Sequence, residues 1–330
     1  MNWMGKRVLV TGAGGFIGSH LSERLVREGC RVKAMVHYDS RDDHSNLEFI
    51  EPSVLREMEI IAGDIRDPYF LLNATTGCEI IFHLAALIGI PYSYVAPASY
   101  VETNIQGTLN VLEAARINGA TRVIHTSTSE CYGTAQYTPI DEGHPLRGQS
   151  PYAATKIGAD KLAESFHLSF GLPVTTVRPF NTFGPRQSAR AVIPTILSQL
   201  LSGREELRLG ELTAIRDLNY VTNTVDGFLA AGSCDKAVGT LLNLGTGVGV
   251  TIEELALLAM KVVERNVPIV QDPKRIRPNG SEVFRLLCNF EKVKELTGWT
   301  PAIDLEDGLR KTAQYVDAHP NRYRPDEYKV

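Results

Sequence analysis

Long hydrophobic runs, basic clusters and paired cysteines are all scarce in this 330-residue chain. No segment approaches the roughly 18 uninterrupted apolar residues of a membrane-spanning helix, so no membrane association is expected. The N-terminus enters a strand pattern at once, which argues against a signal peptide. A formal net charge of −4 without a long basic stretch argues against nucleic acid as a partner. The five cysteines (Cys30, Cys78, Cys131, Cys234 and Cys288) lie far apart and form no CxxC pair. That spacing disfavours a disulfide frame and a zinc site, so no metal is expected, and it suits reduced thiols in the cytoplasm. Internal repeats and low-complexity segments are absent as well. What the chain has is hydrophobic residues, 43% of the total, enough for a large core in one or two domains.

The first apolar run, Arg7-Val8-Leu9-Val10, ends in Thr11-Gly12-Ala13-Gly14-Gly15-Phe16-Ile17-Gly18, and Leu21, Leu25 and Val26 then recur at helical spacing. Strand, glycine turn and helix in that order point to dinucleotide binding. Glycines let the backbone approach a pyrophosphate, and the N–H groups opening the helix at Phe16 and Ile17 attract its charge. The spacing is GxxGxxG (Gly12, Gly15, Gly18). A second strand, Val32 to Val36, is expected to end beside the adenosine ribose, where a carboxylate would select NAD. The chain offers His37-Tyr38-Asp39-Ser40-Arg41 there, and His37, Ser40 and Arg41 favour the 2′-phosphate of NADP over NAD; Asp39 remains able to turn back toward a ribose.

Further strand-and-loop units follow. One ends in Asp64-Ile65, with the carboxylate placed to accept from an adenine amino group; the next is Ile80-Ile81-Phe82-His83-Leu84-Ala85-Ala86, whose small residues suit a cofactor passing close to the backbone. His83 reads as a hydrogen-bonded strand histidine, and Asn104 as an N-cap opening a helix. Alternating strands and helices imply an α/β fold: a Rossmann-type, doubly wound parallel sheet with its ligands at the carboxyl ends of the strands.

Residues 126–156 carry the reactive groups. Thr128, Ser129 and Glu130 follow the apolar Val123-Ile124 and so stand at a strand end. Tyr152 and Lys156 are four apart on a helix, which stacks phenol over ammonium on one face. A nearby ammonium is expected to lower the phenol pKa from about 10 and make the phenolate a usable base.

The glycine turn, Asp64-Ile65, His83-Leu84-Ala85-Ala86 and Tyr152/Lys156, in this order, resemble the extended short-chain dehydrogenase/reductases, in the branch acting on nucleotide-activated sugars. The closing Leu296-Thr297-Gly298-Trp299-Thr300-Pro301 is similar to that branch too. The resemblance implies that Tyr152 is the base, that Lys156 holds the phenolate and the nicotinamide ribose, and that Thr128 bonds the sugar's 4′-hydroxyl. It also implies cofactor contacts at Leu84, Ala85 and Pro179. Thr128-Ser129-Glu130 matches GDP-mannose dehydratases, with Ser129 where dTDP-glucose dehydratases carry an aspartate; decarboxylases of UDP-glucuronate share the triplet, and simple 4-epimerases carry small residues in place of Glu130. The text around Gly148–Asp160 and Val177–Pro194 resembles nucleotide-GlcNAc 4,6-dehydratases of the legionaminic-acid pathway, which feeds bacterial nonulosonic acids. The expected reaction converts UDP- or GDP-N-acetylglucosamine to its 4-keto-6-deoxy product, with Glu130 removing the C5 proton and a tightly bound cofactor recycled in each cycle. A decarboxylase or a 4-epimerase of the same fold is the alternative.

Residues 1–180 are expected to form the dinucleotide-binding domain, with segments near 215–250 returning to it, and 181–330 a smaller substrate lobe. In that lobe Thr251-Ile252-Glu253-Glu254 is a capping box. The resemblance places Asn181, Val192, Arg216 and Arg277 at the nucleotide sugar, the two arginines on its diphosphate; Arg186 and Arg190 read equally well as solvated charges. Leu162, Phe166 and Phe170 form a second apolar face on the Tyr152 helix, which in this family pairs two copies into a homodimer; core packing explains the pattern equally well.

Overall fold

The computed structural model describes residues 2–275, 278 and 280–323. The strands in chain order are β1 (Arg7–Thr11), β2 (Arg31–His37), β3 (Glu59–Gly63), β4 (Ile80–His83), β5 (Arg122–Thr126), β6 (Val174–Pro179), β7 (Asn181–Phe183), β8 (Leu207–Leu209), β9 (Ile215–Tyr220), β10 (Leu241–Leu244), β11 (Gly249–Thr251), β12 (Ile269–Gln271) and β13 (Arg285–Leu286). Seven of them form one parallel sheet in the order β10-β6-β5-β4-β1-β2-β3. Val8, Leu9 and Val10 of β1 and Ile80, Ile81 and Phe82 of β4 have no exposed surface. Such unbroken apolar strands are stable only when helices cover both faces. On one face pack the helices Phe16–Arg27 and Val221–Ser233; on the other, Pro68–Thr75, Gly107–Ile117 and Pro151–Phe170.

Strand order reverses between β1 and β4, and that reversal opens a crevice at the carboxyl ends of the strands. Thr11 and His83 end these two strands, and their side chains bond across the gap at 2.8 Å. His83 also bonds Thr108 at 3.0 Å and is buried, the structural strand histidine expected.

After β6 the chain builds the smaller layers. A four-stranded sheet joins β11, β9 and β13, with β7 also on β9, while β8 and β12 pair separately. β10 returns to the edge of the large sheet beside β6. The Thr251 capping box forms in full: Thr251 Oγ1 accepts from Glu254 N at 3.0 Å, and Glu254 accepts from Thr251 N at 2.8 Å. The closing motif is a clamp, because Trp299 Nε1 donates to the Asn223 carbonyl and Asn223 Oδ1 accepts from Ala302 and Ile303.

One expectation changes here. Asn104 is not an N-cap; it lies within a π-helical turn, Val101–Gln106, where Oδ1 accepts from Leu87 N and Nδ2 donates to Leu87 O and to Thr155. An inserted residue in a helix commonly aims a side chain at a loop, and this one fastens the loop after β4 to the Tyr152 helix. On the apolar face of the Tyr152 helix, core packing accounts for Phe166. Phe166 is buried in the core, and Arg116 covers the Phe170 ring at 5.2 Å, so Leu168 and part of Phe170 are what that helix end leaves open. Among the described residues no helix is long and apolar enough to cross a membrane, and no cluster of metal-ligating side chains occurs.

Candidate active site

The cradle at the end of β1 is made by backbone. Gly12 has φ +73°, and a Cβ there would fall 2.7 Å from Ala85 N, so only glycine lets the turn press on the loop after β4. A Cβ on Gly18 would fall 2.1 Å from Gly12 O. Gly15 is the N-cap of helix Phe16–Arg27 and supplies no side-chain acceptor. The first N–H groups, from Phe16 and Ile17 onward, therefore remain for an anion. Leu84 N and Ala85 N donate to the carbonyl and hydroxyl of Thr11, fixing the opposite wall. This glycine cradle fits a dinucleotide pyrophosphate.

The remaining cofactor-side residues surround that cradle. Ile65 is buried against Gly107, and Asp64 is forked by Arg66 at 2.6–3.1 Å. His37, the last residue of β2, and Ser40 beyond it are exposed. Arg41 is forked onto Asp39 through Nε at 3.2 Å and Nη2 at 2.9 Å, so its charge is already matched. Pro179 ends β6, buried, two residues before Asn181.

The reactive corner is made of side chains. Ser150 caps the helix Pro151–Phe170 by accepting from Ala153 N, with Pro151 at its first position, so Tyr152 and Lys156 lie in its opening turns. Thr128 caps the short 3₁₀ turn Ser129–Tyr132 by accepting from Glu130 N at 3.3 Å. Glu130 itself caps nothing, and among the described residues its carboxylate makes no ion pair. Tyr152 (7% exposed), Lys156 (5%) and Glu130 (9%) are brought together in one buried corner, Tyr152 edge-on to the Tyr100 ring at 6.3 Å. Ser129 is buried in the same turn.

The electrostatics of that corner correct one expectation. Lys156 Nζ donates to the Thr126 carbonyl at 2.6 Å and does not lower the Tyr152 pKa. Burial instead pushes Tyr152 well above the ordinary tyrosine value; a Thr128 hydrogen bond acts against this, and the charges of Glu130 and Asp160 add to it. Burial lowers Lys156, with Asp160 opposing. A buried phenol without a facing cation stays protonated.

Sequence reasoning missed what lies underneath. Asp160 accepts from Ser127 Oγ at 2.5 Å and Arg178 Nη2 at 2.6 Å, and bonds His125 Nε2 at 3.0 Å. One signal was legible: Asp160 continues the Tyr152, Lys156 spacing by one more helical turn. Arg178, on a fully buried strand, gave none.

On the substrate side, Asn181 is half-buried with its Oδ1 unpartnered, and Val192 opens the helix Val192–Leu201. Arg216 Nη2 donates to Glu282 at 3.0 Å, both side chains nearly buried. Gln149 Nε2 reaches the Gly280 and Glu282 carbonyls, and Tyr94 bonds Ser281, so this segment spans from lobe to nucleotide half. Arg186 is not solvated: it is buried and paired with Glu23. Arg190 is exposed. Arg277 lies outside the described residues.

The model of the family described as GDP-mannose 4,6 dehydratase matches residues 9–312. The chain is 33% identical to a UDP-glucose 4-epimerase of Mycolicibacterium smegmatis, over 94% of this chain and 98% of that protein. It is 31% identical to a UDP-N-acetyl-alpha-D-glucosaminuronate decarboxylase of Bacillus cytotoxicus, over 94% and 98%. A dTDP-glucose 4,6-dehydratase of Streptomyces venezuelae, solved with NAD bound, superposes with a TM-score of 0.85 at 29% identity, covering 97% of this chain and 99% of that one.

Proposed function

This chain belongs to the GDP-mannose 4,6 dehydratase family, among the extended short-chain dehydrogenase/reductases that act on nucleotide sugars, and from that premise we propose that it is a nucleotide-sugar 4,6-dehydratase acting on UDP- or GDP-N-acetylglucosamine. The observation that carries the reading is Glu130, a carboxylate beside Tyr152 that no cap or ion pair occupies among the described residues. An epimerase needs no second base, whereas dehydration does.

A bound nicotinamide supplies the hydride acceptor at C4 and the donor at C6. The chain's own residues handle the protons. Tyr152 takes the proton of the sugar's 4-hydroxyl as C4 becomes a ketone, with Thr128 hydrogen-bonding the same oxygen. The ketone acidifies the C5 proton, which Glu130 removes; the C6 hydroxyl then leaves. With Ser129 in the place of an aspartate, Glu130 hands its proton to that hydroxyl and water departs; the 5,6-alkene is then reduced, C5 taking up one proton from solvent as Tyr152 gives up the one it drew from the 4-hydroxyl. The net change is loss of one water.

Tyr152 is raised by its burial, so it acts as a base only with positive charge brought close. Lys156 would hold the nicotinamide ribose of a bound cofactor, and its ammonium with the oxidised ring would supply that charge. For the cofactor, the expected NADP preference rested on His37, Ser40 and Arg41; since the one cation among them, Arg41, is matched by Asp39 and the Streptomyces venezuelae relative was solved with NAD, we read the site as one for NAD. A fluorescence titration showing tighter NADPH than NADH binding reverses that choice. A homodimer is part of the proposal, and sedimentation equilibrium tests it.

The deciding experiment incubates the protein with UDP- or GDP-GlcNAc without added coenzyme and follows mass. Loss of one water supports dehydration. Carbon dioxide released from a UDP-uronate makes it a decarboxylase, and an unchanged mass with a new C4 epimer makes it an epimerase; relatives of both kinds exist at comparable identity.

A further inference from the structure

The buried cluster beneath the reactive corner has no part in the proton transfers above. Asp160 sits one turn beyond Lys156 and two beyond Tyr152, on the same helix and face. Its oxygens are held from other elements: by Ser127 Oγ at 2.5 Å and His125 Nε2 at 3.0 Å on and just after β5, and by Arg178 Nη2 at 2.6 Å on β6. Arg178 Nε donates to the same Ser127 hydroxyl at 3.0 Å, and the guanidinium lies 4.4 Å from the centre of the Tyr132 ring. Ser127 immediately precedes Thr128, and Tyr132 closes the turn that holds Glu130. Asp160 thus ties the helix of Tyr152 and Lys156 to the strand end of Thr128 and Glu130. Apolar side chains of similar volume commonly stabilise a core as well as a buried ion pair, so stability alone does not account for one here.

We propose that Asp160, seated on Arg178, is a positioning residue that sets the Tyr152–Lys156 pair against the Thr128–Glu130 strand end. This rests on the dehydratase reading. The charged and titratable groups facing Asp160 are His125 from β5, Cys131 from the 3₁₀ turn, Arg178 from β6 and Lys156 from its own helix, with the His83 ring 5.7 Å behind His125. Tyr152, on the same helix, also feels this carboxylate: its charge favours the ammonium of Lys156 and disfavours the phenolate of Tyr152.

Asp160→Asn keeps the shape, removes the charge and leaves Arg178 uncompensated. The ammonium of Lys156 becomes harder to hold and the phenolate of Tyr152 easier to form, so both limbs of the pH profile of kcat move to lower pH. Misplacement of the corner lowers kcat about 10- to 100-fold with KM for the nucleotide sugar little changed. A folded variant with wild-type limbs and kcat overturns the proposal, and a lower kcat with unmoved limbs reduces Asp160 to a packing role and overturns it too. If Asp160→Asn does not fold, Ser127→Ala decides: it deletes the hydroxyl bridge, so a lowered kcat restored by Ser127→Thr is expected, and a wild-type kcat, or a loss that Ser127→Thr does not restore, overturns the bridge. A titration needing no substrate separates this from the functional reading. In protein labelled with ¹³Cε-lysine, the Lys156 signal, assigned by its loss in Lys156→Met, titrates at lower pH in Asp160→Asn. If no nucleotide sugar is turned over, the dehydratase reading fails while that titration still decides, an unchanged midpoint overturning Asp160 as a positioning residue.

Discussion

Two regions meet at the carboxyl end of the sheet, and they are built from different materials. The cradle after β1 is backbone: glycines at 12, 15 and 18 and the unpartnered start of a helix. The corner after β5 is side chain: a phenol, an ammonium and a carboxylate over a buried ion pair. A backbone site binds charge through fixed dipoles and tolerates no Cβ, whereas a side-chain site depends on what burial and neighbouring charges do to each group. Substitutions in the first should therefore cost affinity, and in the second, chemistry.

The sharpest break of that contrast is Tyr152→Phe. It is expected to lower kcat by about 10²- to 10⁴-fold with NAD affinity unchanged; a parallel loss of NAD binding by calorimetry would mean that the corner also serves the cradle. Next, Glu130→Gln should lower water elimination by a similar order, about 10²- to 10⁴-fold, while C4 oxidation survives. Absorbance at 340 nm then rises on adding substrate, and its failure to rise places Glu130 in oxidation as well. Arg178→Met strips the counterion from buried Asp160 and should cost about 3–5 kcal/mol in urea unfolding. In the cradle, Gly12→Ala forces an L side chain to φ +73° against Ala85 and should cost about 1–3 kcal/mol, seen as weaker NAD binding with kcat at saturation nearly intact.

The smallest effect is one of pH. His20, on the cradle helix, is pushed down to about 4 by burial, with Arg186 adding to this. A histidine depressed in the folded state contributes stability above its unfolded pKa of 6.5 that is lost as pH falls toward 4. Melting temperature should fall between pH 7 and 5, and fall less in His20→Gln; equal falls would show that His83, also held neutral by burial, carries the effect.

Much of the cradle was legible, because its signals are local. Gly12 to Gly18 needs only a strand before and a helix after, and both formed where the apolar spacing placed them. Thr251 and Glu254 likewise made their capping box from four adjacent residues. Asn104 was misread because an N-cap and a π-turn asparagine look alike until the loop at Leu87 is seen folded onto it. Arg41 and Arg186 read as available charges, since the carboxylates that hold them are identified only by geometry.

Order along the chain thus determined the parallel sheet, the glycine turn and the place of Tyr152 and Lys156 in one helix, because strand, turn and helical spacing act over a few residues. Tertiary structure alone decided which charges face one another: that Asp160 of a helix meets Arg178 of a strand, and that Lys156 turns to Thr126. Removal from water sets the strength and sign of such contacts, and water is removed only when distant segments close over them.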